Sequence, residues 1–131
     1  KFIKSDQSDI YLLQELKSIE DNFPKIEIKN LGYHCYVNGQ KAWNGVAILS
    51  KKELPIINTK IPYYNDENAR FLETEIILSK IKQKIKLICI YLPNGNPIET
   101  NKFDYKIEWM KKFNDYIIKL KKIIVICILS K

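Results

Sequence analysis

The chain has 131 residues, 46% hydrophobic and 28% charged, which is enough for one domain with its own core and excludes a disordered tract. Lys and Arg number 22 against 15 Asp and Glu, a formal charge of +7 that favours polyanionic partners such as nucleic acid and says nothing about fold. Its three cysteines, Cys35, Cys89 and Cys127, contain no C-x-x-C pair, which argues against a zinc site or a disulfide framework and suits a reducing cytoplasm; no apolar run approaches the roughly 20 residues of a membrane helix.

Lys1 to Ser8 reads as the tail of a helix. Ile10 to Leu13 is a short buried strand, followed at once by Gln14, Glu15 and Lys17. Ser18 to Asn30 alternates in charge around Pro24 and reads as loop plus short helix, ended by Gly32. Tyr33 to Val37 alternates as a strand does. Asn38-Gly39 is a two-residue turn signal, so the spacing predicts a hairpin to a second strand, Gly45 to Ser50, with Gln40, Lys41, Trp43 and Asn44 on its connection.

Glu53-Leu54-Pro55 breaks the chain, and Ile56 to Lys60 resumes extended structure. Pro62 to Ala69 is polar and loop-like. Arg70 to Leu78 sets Phe71, Glu73 and Glu75 against Leu72, Thr74 and Ile76 on alternate faces. After a turn at Lys80 to Lys84, Ile85 to Leu92 is strongly apolar, and the two segments predict an antiparallel meander. Pro93-Asn94-Gly95-Asn96-Pro97 is the densest turn signal. Lys102 to Lys122 is helical, with Phe103, Ile107, Met110, Phe113, Ile117 and Leu120 at spacings of three and four. Ile123 to Leu129 is a continuous apolar run after that helix, hence a buried strand.

Several of these stretches resemble, in family order, the exodeoxyribonuclease III branch of the endonuclease/exonuclease/phosphatase superfamily, which holds the apurinic/apyrimidinic endonucleases. They are Asp9-Ile-Tyr-Leu-Leu-Gln-Glu15-Leu-Lys17; Gly32-Tyr33 through Gly39-Gln40-Lys41 to Asn44-Gly45-Val46-Ala47-Ile48-Leu49-Ser50; Arg70-Phe71-Leu72-Glu73; Tyr91-Leu92-Pro93-Asn94-Gly95; and Lys102-Phe103 with Tyr105-Lys106 and Trp109. The resemblance implies an α/β fold with a mainly antiparallel sheet and flanking helices, roughly half of a two-sheet sandwich. Residues 1–131 are then a partial domain, truncated at both ends. The family's first strand does not precede Ile10. The Gly-Asp-x-Asn that follows the strand matching Ile123 to Ile126 is replaced by Cys127-Ile128-Leu129-Ser130-Lys131, as a frameshift would leave it. About one sheet of the sandwich is expected, with an apolar inner face that is exposed or covered by self-association.

The resemblance also implies the chemistry, which is phosphodiester cleavage beside abasic sites or at 3′ ends of double-stranded DNA, with Mg²⁺ or Mn²⁺. Glu15 would bind the metal, where the bland reading is a solvated loop acid. Tyr91 would donate a hydrogen bond to the phosphate, where the alternative is a tyrosine capping the core. Gln40, Lys41, Asn44 and Arg70 would contact DNA phosphates, or serve only as a solvated turn and a strand-end arginine. Trp43 reads equally as packing. Asn94 reads as a turn-former, His34 as a half-exposed strand residue, and the lysines of the long helix as its solvated face. Two other functions compete: a catalytically dead remnant that keeps the DNA-contacting loops, and another phosphoesterase of the same superfamily.

Overall fold

Short apolar runs bounded by Gly, Pro and Asn make strands, and here they sort into two sheets. The structure, a computed structural model, describes residues 2–120 and 124–129. In chain order it contains α1 (Phe2–Asp6), β1 (Ile10–Gln14), a 3-10 turn (Glu20–Asn22), α2 (Lys25–Lys29), β2 (His34–Asn38), β3 (Val46–Ser50), β4 (Ile56–Asn58), β5 (Phe71–Leu78), β6 (Gln83–Tyr91), α3 (Asn101–Lys119) and β7 (Ile124–Leu129). One sheet has the order β1-β3-β2 and is antiparallel throughout. The other has the order β4-β5-β6-β7, antiparallel except for β7, which runs parallel to β6 after the α3 crossover.

The alternation of side chains divides each sheet into an inner and an outer face. Val46 and Ile48 of β3 meet Leu72 of β5 and Cys89 and Tyr91 of β6, with Ile10, Leu12 and Tyr36 packed around them. The two sheets therefore bury each other. The outer face of the first sheet, with Tyr11, Leu13, Cys35 and Leu49, is covered by Ile3 of α1 and Ile28 of α2. The outer face of the second, with Phe71, Ile88 and Ile90, is covered by Trp109, Tyr105, Phe113, Tyr116 and Ile117 of α3. The order is helix, sheet, sheet, helix. Complete burial of a Val, Leu or Ile side chain contributes about 1.5–3 kcal/mol, and Val46, Ile48, Leu49, Leu72, Ile88 and Ile90 are all buried to this degree.

The α/β half-sandwich expected from the sequence is present, with one correction. The chain supplies parts of both sheets rather than one of them, so the inner face has its partner within the chain. Two local readings also change. Asn38-Gly39 is not a two-residue turn: Asn38 pairs with Val46, and the connection spans 39–45. Neither residue takes the positive φ that such a turn needs, and a Cβ at Gly39 would meet the backbone of Ser18, Ile19 and Glu20. On α3 Phe113, Ile117 and Leu120 pack on the sheet as expected, joined by Tyr105, Tyr116 and the buried Trp109, while Met110 is exposed. Lys121 to Ile123 and Ser130-Lys131, at the ends of the predicted helix and strand, lie outside the described residues.

Candidate active site at one end of the sandwich

β1 and β6 both run toward the same end of the molecule. The thiol of Cys89 donates to the carbonyl of Leu13 across the sheets at 3.4 Å, which puts Glu15 and Tyr91, each two residues further on, at that end. The antiparallel partners begin there: Gln14 faces Val46 and Phe71 faces Ile90. Asn44 and Gly45 before β3 and Arg70 before β5 are thereby gathered beside Glu15 and Tyr91. Asn38 at the end of β2 staples the sheets, its amide donating to the carbonyls of Thr59 (2.9 Å) and Phe71 (3.0 Å). Because β7 is parallel to β6, with Leu129 opposite Tyr91, its carboxyl end arrives at the same place.

Glu15 leaves the sheet with φ +57 and Lys17 follows with φ +53. The left-handed region costs a non-glycine residue of order 1–3 kcal/mol unless its surroundings fix it. Here they do: the amides of Leu16 and Lys17 donate to the carbonyls of Gly45 (3.2 Å) and Asn44 (3.0 Å). The Glu15 carboxylate is mostly buried and pairs with the Lys17 ammonium at 3.1 Å.

Asn44 and Gln40 are engaged within the chain. Asn44 is buried, and its amide donates to Gln40 Oε1 at 2.8 Å. The same Oε1 accepts the backbone N–H of Ala69 (3.0 Å), and Gln40 Nε2 donates to Asn68 Oδ1 at 3.3 Å. Asn68 in turn donates to Asp66, whose other oxygen accepts from the Tyr105 hydroxyl (2.8 Å) and the Trp109 indole (3.0 Å). The hairpin loop is thus wired through Asn68 and Asp66 to α3. Burial, and then the adjoining Asp66 carboxylate, push the Tyr105 hydroxyl well above the ordinary tyrosine range.

Arg70 donates from Nη1 to the carbonyl of Tyr91 at 3.1 Å, and its guanidinium lies 5.2 Å from the Tyr91 ring centroid and 5.8 Å from that of Tyr105. Such stacking suits arginine in particular. Arg70 belongs to none of the ion pairs among the described residues, and its Nε is buried with no hydrogen-bond partner. Tyr91 itself is buried at the strand end. Lys41 is exposed on the loop, as is Trp43, whose indole is 70% accessible and therefore not packing. Asn94 behaves as a turn-former, its Oδ1 accepting the backbone N–H of Asn96 at 3.0 Å, and His34 is an exposed strand residue.

The structure thus assembles Glu15, Tyr91, Asn44, Gln40 and Arg70 at one end, and shows that Gln40 and Asn44 shape the loop. Sequence reasoning passed over Asp66 and Asn68. Their polar run had the composition of any surface loop, and only the buried Trp109 and Tyr105 beneath it distinguish it. For a divalent cation Glu15 offers a hard oxygen ligand; among the described residues no group of three His, Cys, Asp or Glu side chains could enclose a metal.

No family model matches the chain. Exodeoxyribonuclease III of Haemophilus influenzae is 31% identical over 121 residues, which cover 89% of this chain and 44% of that protein. An AP endonuclease from Archaeoglobus fulgidus superposes with a TM-score of 0.85 at 28% identity, covering 97% of this chain and 48% of that one. The chain is thus similar in sequence to exodeoxyribonuclease III and in fold to an AP endonuclease. The 3′ phosphatase NExo from Neisseria, solved with a product DNA hairpin, gives a TM-score of 0.82 at 26% identity over 97% of this chain and 49% of its own length. The chain spans less than half the length of each of these relatives. Among its described residues no helix is long and apolar enough to cross a membrane.

Proposed function

We propose that residues 1–131 form part of a DNA-repair phosphodiesterase of the endonuclease/exonuclease/phosphatase type, acting on double-stranded DNA at abasic sites or 3′ ends in a reducing cytoplasm. The observation that carries this reading is the convergence of Glu15, Arg70 and Tyr91 at one end of a sandwich that superposes on an AP endonuclease. The net charge of +7 suits the same partner.

Each side chain has a role in that reading. Glu15, held in place by the Leu16 and Lys17 amide bonds, is the metal ligand. A Mg²⁺ ion commonly takes one or two carboxylates and fills its shell with water and substrate phosphate, so Glu15 fits as one ligand, with Mn²⁺ as a substitute of similar preference. Bound there, the ion would neutralise charge that develops on the phosphate. Tyr91 directs a phenol hydrogen bond to a nonbridging or leaving oxygen, its strand end fixed by Arg70. Arg70, with no carboxylate paired to it, offers a guanidinium to the phosphate backbone. Lys41 adds an exposed cation. Gln40 and Asn44 act indirectly, by holding the loop that carries Lys41.

Incubating the chain with an abasic-site duplex and Mg²⁺ tests the proposal. Cleavage that Glu15→Ala abolishes, and that Tyr91→Phe slows about a hundredfold as loss of one transition-state donor does, is the expected result. A second reading, a DNA-binding portion without catalysis, is favoured by the exposed Lys41 and by the Arg70 guanidinium, which can hold phosphate without a metal. Binding of the duplex with no cleavage in Mg²⁺ or Mn²⁺ selects that reading.

A further inference from the structure

Trp43 stands out among the exposed residues of the candidate site. The residues that follow it are held in place. Ala42 and Asn44 have φ +64 and +56, and Gly45 has φ +89. The Asn44 carbonyl accepts the Lys17 amide, the Asn44 side chain is bound to Gln40, and the Gly45 N–H donates to the Ala69 carbonyl at 2.9 Å. The Trp43 amide itself donates to the Lys41 carbonyl at 2.8 Å. The loop thus presents Trp43, 70% accessible, at the site end. A flexible, polar turn would have served equally well if the loop only joined two strands.

We infer that Trp43 is a stacking platform for an unstacked nucleotide in DNA, and that it makes the chain prefer duplexes with a break in base stacking. This rests on the DNA partner proposed above. In an intact duplex every base has both faces covered by its neighbours, and an indole finds no face to stack on. At a missing base or a frayed 3′ end one face is open. Aromatic stacking on an open face is insensitive to sequence, because every base has a π-face. Lys41, two residues away on the same loop, would hold the adjoining phosphate. Tyr63, fully exposed on the 59–70 loop that Asn68 ties to this one, is a second aromatic on adjoining structure.

The two tryptophans make the test clean, because Trp109 is 1% accessible and bonded to Asp66 while Trp43 is open. Fluorescence titrations in EDTA, where metal-dependent cleavage is blocked, compare a duplex carrying one tetrahydrofuran abasic analogue with the intact duplex of the same sequence. The wild-type chain should bind the abasic duplex more tightly and lose emission from the exposed indole. Trp43→Ala should lower affinity for the abasic duplex about 5- to 150-fold, the range for one stacked base, and bring the two affinities together. Trp43→Phe should restore part of the preference without the quenching. Trp43→Ala retaining the full preference overturns the inference, and so does abasic binding by the wild type without quenching, a measurement that does not depend on any variant folding. If the wild type binds neither duplex, the DNA reading itself falls, and this inference with it.

Discussion

Glu73 has no accessible surface, and its environment accounts for that. Lys86 on the neighbouring strand pairs with one carboxylate oxygen, and Asn58 (2.9 Å) and the Tyr116 hydroxyl donate to the other. A buried ion pair contributes little net stability, but removing one partner strands the other charge. Glu73→Ala should therefore cost about 3–5 kcal/mol in urea unfolding, with Glu73→Gln costing less because it keeps a hydrogen-bonding partner for Tyr116. The alternation of Phe71, Glu73 and Glu75 against Leu72, Thr74 and Ile76 placed Glu73 on the correct face of β5. It did not reveal that α3 covers this face, because that depends on a helix thirty residues further on. Tyr116 and Tyr105 carry a pH consequence. Burial first, and then a carboxylate neighbour, raise both hydroxyls above the ordinary value near 10. The folded state favours the neutral phenol, so this stabilisation is complete below pH 10 and is lost as pH rises past it. The unfolding midpoint should fall above pH 10, and Tyr105→Phe with Tyr116→Phe should flatten that fall.

At the level of the element, the connection between β2 and β3 departs most from what its sequence suggests. Asn-Gly signals a tight hairpin, and the strands it joins were legible as alternating and apolar runs. What local reasoning could not supply is that the 39–45 connection is shaped by three other segments: the 16–20 stretch, the 66–69 loop and α3. Gly45 records one of these contacts. Its φ is +89, and a Cβ there would lie 2.9 Å from Leu16 Cβ. Gly45→Ala combines backbone strain with that clash, each of which is destabilising where φ is positive. It should lower the thermal midpoint by several degrees, and it should weaken binding of the abasic duplex, since the same residue sets the loop on which Lys41 and Trp43 stand. The helix gave a similar lesson. The three-and-four spacing found α3 within one residue at its start, yet picked Met110 for the core over Trp109, because local spacing does not show that an indole can reach Asp66.

For the whole molecule, the consequence of two mutually burying sheets is cooperativity. Leu72, Val46, Ile48 and Cys89 belong to one core although they come from different sheets. Weakening that core should loosen both sheets together. Leu72→Ala, a deletion that typically costs 2–5 kcal/mol, should lower hydrogen-exchange protection in β3 and in β6 by similar factors. Loss confined to the β4-β5-β6-β7 sheet would mean that the sheets unfold separately. The strands themselves were readable from their apolar runs, and nearly all lie within a few residues of their expected limits. Their partition into two sheets was not readable, because pairing and layering are set by contacts far apart in sequence, such as Cys89 with Leu13 across 76 positions.

On the metal-ligand role proposed for Glu15, its pair with Lys17 would give the chain a placeholder cation of its own. A divalent ion that approaches the carboxylate meets an ammonium already 3.1 Å away, and must wait for it to swing off. Loading is then a competition between an intramolecular partner, present at fixed effective concentration, and a dissolved one. The apparent affinity would then be the intrinsic one scaled by the fraction of time the lysine is away. Lys17→Met should tighten metal uptake at Glu15, measured by calorimetry with Mn²⁺, while Glu15→Gln should abolish it in both backgrounds.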